Sequence, residues 1–142
     1  MQTVTFINDL PGRRIPRRKL LRLADAIMKN EFKTGKDYQL SLVFVSDRVI
    51  KKINARHLRH PYVTDVIAFT LSEPPKEPLE GEIYIGLEQA ARQAKAYRVS
   101  LTNEILRLAA HGLLHVLGYD DRTAPARTRM LDLGEYYVSK IK

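Results

Sequence analysis

Leu40–Val45, LSLVFV, is a short, continuous apolar run. Such a run fits a central strand, apolar on both faces because both faces are covered. Reading outward toward the N-terminus, Lys33–Lys36 with Gly35 breaks a helix predicted in RRIPRRKLLRLADAIMKNE. There Leu20, Leu23, Ala24, Ile27 and Met28 repeat at helical spacing and the other face is basic. Pro11 and Gly12 mark a turn before it, and QTVTFIN alternates Val4 and Phe6 with polar neighbours, as a half-buried strand does. Outward toward the C-terminus, Ser46 or Asp47 can cap a helix with apolar positions Val49, Ile50 and Ile53, ending before Pro61. TDVIAFTL then reads as a strand, SEPPKEPLEG as a proline-rich surface connection and EIYIGL as a further strand. LEQAARQAKAY is predicted helical. Thr102 is placed to cap the next helix, with Leu101 and Leu106 as a hydrophobic staple, and Thr123 with Pro125 starts a final one.

The fold class that follows is α+β: one domain over residues 1–142, with about five helices packed on a mixed sheet of about four strands. Strand order is not legible in this pattern.

A chain of 142 residues fits one domain and buries roughly two-thirds of the surface exposed by its unfolded form. It has no cysteine, which excludes disulfides and thiolate zinc sites, so a metal must be held by histidine and carboxylate. His57, His60, His111 and His115 are the histidines. MQTVTFINDLPGRR lacks the pattern of a secretory signal, and no stretch approaches the ~20 apolar residues of a membrane span, so a cytoplasmic protein without a membrane partner is expected. Residues 1–60 hold 14 Lys and Arg against 5 Asp and Glu, whereas residues 61–142 hold 10 against 11. The basic half suits an anionic partner such as RNA, although charge by itself also fits a solvated surface. Arg17, Arg18, Lys19 and Arg22 would hold a nucleic-acid backbone without reading its sequence.

The chemistry concentrates in His111–Asp121, HGLLHVLGYDD. Helical residues four apart are rotated by only ~40° and rise ~6 Å, so His111 and His115 project from one face and can share a cation. Gly118 can take a positive φ, end the helix and return the chain so that Asp120 or Asp121 reaches the same ion. Two imidazoles and a carboxylate leave a position for water, as in catalytic zinc sites, with Mn2+ or Ni2+ as alternatives to Zn2+. An isolated pair of histidines at this spacing also fits a satisfied core. Gly112 stands where a metalloprotease of the HExxH type carries its glutamate base, which argues against peptide hydrolysis by that route.

This segment resembles the H-G-x-L-H-L-x-G-Y-D-H signature of the YbeY family of rRNA maturation factors, which are metal-dependent endoribonucleases. TDVIAF at 64–69 is similar to that family's T-D-V-L-S-F, and GEIYI at 81–85 to its G-D-I-x-I. The resemblance spans residues about 50 to 121 in the family's order. By position it implies that His111, His115 and Asp121 are the metal ligands, Asp121 standing where the family has a third histidine, and that Asp120 supports or caps the turn. The family's arginine, six places before the T-D-V threonine, is replaced by Leu58. Arg59 and Arg56 flank it, Arg59 being the candidate for the catalytic phosphate contact and Arg56 for an RNA contact.

The resemblance implies a single-strand-specific endoribonuclease acting on rRNA of the small ribosomal subunit, with the metal polarising a phosphoryl oxygen and arginines stabilising the developing charge. The rival is a non-catalytic ribosome-assembly factor with a structural metal, for which His57 or His60 could be a fourth ligand.

Overall fold

The protein was analysed as a computed structural model that describes residues 1–32, 35–73 and 78–141. Its elements are β1 (Gln2–Asn8), α1 (Arg17–Glu31), β2 (Tyr38–Val45), α2 (Asp47–Leu58), β3 (Val66–Ser72), β4 (Leu79–Gly86), α3 (Leu87–Tyr97), α4 (Leu101–Val116) and α5 (Ala124–Ser139). The four strands form one mixed sheet in the order β1-β2-β4-β3. β1, β2 and β4 run parallel, and β3 pairs antiparallel with β4. The described residues form the expected α+β class, with five helices on four strands.

Apart from the half-buried Ser41, the LSLVFV run is apolar because β2 lies between β1 and β4 and is covered on both sides. Side chains alternate along a strand. Leu40, Leu42 and Phe44 enter the main core with residues of α1, α3, α4 and α5, while Val43 and Val45 pack on the opposite face with Ile50 of α2 and Ile67 of β3. The same alternation puts Ile83 and Ile85 of β4 in the main core and Tyr84 on the α2 side.

Three helices start on a side-chain cap, with one correction. Ser46 caps α2 by accepting from Val49 N at 3.3 Å, and Thr123 caps α5 by accepting from Ala126 N at 3.2 Å. The cap of α4 is Ser100, which accepts from Asn103 N at 3.0 Å, and not Thr102, which lies inside the first turn. Both residue types cap well. The choice is made by the end of α3, where Arg98 turns left-handed at φ 57° and delivers the chain to Ser100. Leu101 and Leu106 therefore contribute to the core from within the helix and not as a staple across its start.

Two strand boundaries also move. Thr64 and Asp65 precede β3, and Leu79, Glu80 and Gly81 of the proline-rich connection belong to β4, paired with β2. Residues 74–77 of that connection, like Lys33 and Thr34 of the expected helix break, lie outside the described residues.

Candidate metal centre and the clefts beside it

α4 lies across β3 and β4 and contacts α1, α3 and α5. Its close seating has a cause in Gly112: a Cβ there would lie 2.5 Å from Ile83 Cγ2 and 3.3 Å from Val66 Cγ2. The missing side chain lets the helix sit against the sheet and brings His111 and His115 over the beginning of β3. A glutamate at this position has no room, which gives a structural reason for the sequence argument against HExxH chemistry.

Beyond His115 the helix closes as a Schellman turn. Gly118, at φ 102°, donates its N–H to His115 O at 3.0 Å, and Tyr119 N–H donates to Leu114 O at 3.1 Å. The reversal returns Asp121 to the histidines, as expected for Gly118. His111 Nε2 and His115 Nε2 are 3.1 Å apart, and Asp121 Oδ2 lies 3.8 Å from the first and 3.6 Å from the second. Three potential donor atoms thus fall within 4.8 Å of one another. Asp120 is exposed and its Oδ1 accepts from Arg122 N at 3.1 Å, so its carboxylate caps the turn.

The loop is also tied down from α1. Glu31 accepts from Tyr119 Oη–H at 2.5 Å and from Tyr137 Oη–H, joining the end of α1, the loop before Asp121 and α5. Burial, followed by the hydrogen bond to Glu31, raises the Tyr137 phenol above its ordinary value.

Burial and then the neighbouring His115 lower the His111 pKa, with Arg107 acting in the same direction and Asp121 and Asp65 opposing. A neutral imidazole keeps a lone pair for a cation. Two imidazoles and one carboxylate suit a borderline divalent ion such as zinc, and the convergence of these donors fits a metal.

The cleft around the donors is lined by Leu58, Thr64, Asp65, Val66, Ile67 and Ala68. Leu58 itself occupies the wall. Arg59 caps α2 in a left-handed conformation, φ 58°, and is exposed; Arg56 is exposed in the last turn. Arg17, Arg18 and Arg22 of α1 are exposed and Lys19 is half-buried, with the Arg17 guanidinium 5.7 Å over the Phe6 ring. These residues sit at the start of α1, the far end from the Glu31 contact. His57 packs edge-on against Phe69 at 5.4 Å, and His60 lies tilted against Tyr62 at 5.4 Å. Neither joins the donor cluster, so among the described residues neither supplies the fourth ligand of a structural site.

The sequence reading missed a polar network behind His111. Glu104, 1% exposed, accepts from Arg107 Nε at 2.8 Å and Nη2 at 2.6 Å, and from Gln93 Nε2 at 2.6 Å. Gln93 also reaches Asp65 Oδ2 at 3.3 Å. The signal was present in Asn103, Arg107, His111 and His115, which recur every four residues and so share one face of α4.

A family model described as "Endoribonuclease YbeY" matches residues 7–142. A protein of Chloroherpeton thalassium named Endoribonuclease YbeY is 32% identical over 136 residues, 96% of this chain and 94% of its own. One of Desulforamulus reducens with the same name is 34% identical over 146 residues, 96% of this chain and 95% of its own. A solution structure from Thermotoga maritima superposes with a TM-score of 0.67 at 23% identity, covering 98% of this chain and 89% of that one, and supports the fold.

Proposed function

The chain belongs to the YbeY family of endoribonucleases, and on that premise we propose that it is a metal-dependent endoribonuclease that cleaves single-stranded RNA in maturation of small-subunit rRNA in the cytoplasm. The observation that carries the metal dependence is the convergence of His111, His115 and Asp121 donor atoms within 4.8 Å in a cleft. A divalent ion held there, with zinc the first choice and manganese or nickel as alternatives, would supply Lewis acidity toward a phosphoryl oxygen.

The chain's own residues do the rest. His111 is kept neutral by burial, and Asp121 offsets part of a cation's charge. Arg59 stabilises negative charge that develops on the phosphate, with Arg56 as a neighbouring RNA contact at the end of α2. Arg17, Arg18, Lys19 and Arg22 hold the RNA backbone electrostatically and without sequence preference. Gly112 leaves no side chain to act as the glutamate base of an HExxH peptidase, which argues against peptide hydrolysis by that route.

The test is to incubate protein of known metal content with precursor small-subunit rRNA, beside His111→Ala prepared identically. Wild type should cleave and the variant should not. Equal cleavage by both would assign the activity to a contaminant. EDTA should abolish cleavage while circular dichroism stays unchanged; unfolding on chelation would make the metal structural.

A further inference from the structure

His111 is shared by two clefts. On one side lies the polar cleft of Asp65 and the donor cluster; on the other, between α4 and α5, lies a cleft of about 420 Å3 lined by Tyr97, Val99, Arg107, Met130 and Leu131, with Asn103 and Glu135 at its polar rim. Its volume is within the range of small-molecule pockets. Three large apolar side chains that are otherwise exposed to solvent converge on it: Tyr97 at 60%, Val99 at 39% and Leu131 at 40%.

We infer that this cleft seats a nucleobase of the RNA strand whose phosphate occupies the donor cluster, an inference that rests on the endoribonuclease reading. Continuity through His111 places the cleft next to that phosphate. Its lining decides which part of the nucleotide enters. Arg107 is neutralised by the buried Glu104 carboxylate, which takes Nε and Nη2, so a second anion gains little there, whereas a planar uncharged ring gains apolar contact. The guanidinium also lies 5.8 Å from the Tyr97 ring centroid, and the Glu104 pair fixes it in place. Ring and guanidinium together form the kind of stacking wall on which unpaired bases are held. Asn103 and Glu135 at the rim offer donor and acceptor groups to the base edge.

The test compares binding of two 2′-O-methyl hexamers, one bearing uracil at each position and one with the same sugar-phosphate backbone and no bases. Binding is read by fluorescence anisotropy at fixed salt, with gels to confirm that both stay intact. Wild type should bind the base-bearing hexamer at least about fivefold more tightly, the lower end of the effect of one base–aromatic stack. Tyr97→Ala should remove most of that advantage without changing the base-free affinity, Tyr97→Phe should keep it, and Leu131→Ser, across the cleft, should reduce it in a separate background. An advantage untouched by Tyr97→Ala, or a loss equal for both hexamers, overturns the inference. So does a Leu131-dependent dimer by sedimentation, which would give the cleft to a second copy of the chain. Cleavage of rRNA without any base advantage removes this inference alone; no cleavage and no binding of either hexamer removes the endoribonuclease reading and this one with it.

Discussion

Gly112→Ala tests the seating of α4, the helix that carries His111 and His115, most directly. The added Cβ would stand 2.5 Å from Ile83 Cγ2 and 3.3 Å from both Ile83 Cγ1 and Val66 Cγ2. Carbon atoms pack at about 3.5–4.0 Å, so the shortfall against Cγ2 is at least about 1 Å. Ile83 cannot retreat easily, because it is fully buried on β4, which is paired with β2 on one side and β3 on the other. α4 must lift instead. Overpacking of a core costs about 1–3 kcal/mol, and a contact this short belongs at the upper end; replacing glycine by alanine in a helix returns up to about 1 kcal/mol. The net expectation is a loss of about 2 kcal/mol and a Tm lower by about 5–8 °C. Urea denaturation of Gly112→Ala, Ile83→Ala and the double variant provides the check. Ile83→Ala alone should cost about 2–5 kcal/mol by leaving a cavity. The double variant should be less damaged than the two losses combined, by at least about 1 kcal/mol, because the new methyl fills space that the isoleucine vacated. Additive losses, or a Gly112→Ala protein more stable than wild type, would refute the reasoning.

Asp121→Ala should lose bound metal nearly as fully as His115→Ala, Asp121→His should retain zinc, and Asp120→Ala should weaken it by roughly tenfold; plasma mass spectrometry of the purified variants decides, and a replete Asp121→Ala beside an empty Asp120→Ala would exchange the two roles. Neutralising Arg17, Arg18, Lys19 and Arg22 should weaken binding to all RNA sequences alike and flatten the salt dependence by roughly one unit of slope per lost contact, whereas an unchanged slope would mean that this turn does not touch RNA. Arg59→Ala should lower kcat with little change in affinity, and Arg56→Ala should lower it less; wild-type turnover in both would remove these arginines from the mechanism. The metal-free protein should lose stability with acid. Burial lowers the His111 pKa below its ordinary 6.5, so the unfolded chain binds the proton first, and the stability present above that value falls as pH drops through it. His111→Gln should flatten this dependence in urea titrations between about pH 7 and about pH 5.

What the sequence disclosed was local. The period of α1, the continuous run of β2 and the glycine turn at Gly118 each depend on neighbours a few residues away, and the structure forms all three. The choice of Asp121 came from the resemblance, since a glycine turn by itself admitted Asp120 as well. What stayed hidden was non-local. The order β1-β2-β4-β3 depends on how α2 and the antiparallel pair β3 and β4 fold back, and Leu79–Gly81 become strand because β2, and for Glu80 and Gly81 also β3, offer an edge to pair with. Ser100 and Thr102 are equivalent caps on paper, and the path of the chain out of α3 separates them. Glu104, Arg107 and Gln93 each look like ordinary surface residues of a helix until α3 packs on α4, which buries the Glu104 carboxylate and brings Gln93 and Arg107 to it.

The clasp on Glu31 has a consequence for what the last helix contributes. The chain up to Asp121 already contains all three candidate donors, together with Glu31 and Tyr119. It lacks Tyr137, the second phenol on that carboxylate, and Met130, both of which are buried in the core by α5. Without α5, α4 is uncovered along one flank, and the loop that carries Asp121 is tied to α1 by the Tyr119 hydroxyl, which donates to Glu31. The donors are thus assembled in composition before they are fixed in space. Docking of α5 therefore completes the clasp on Glu31, so that the loop carrying Asp121 and the C-terminal helix share one anchor on α1.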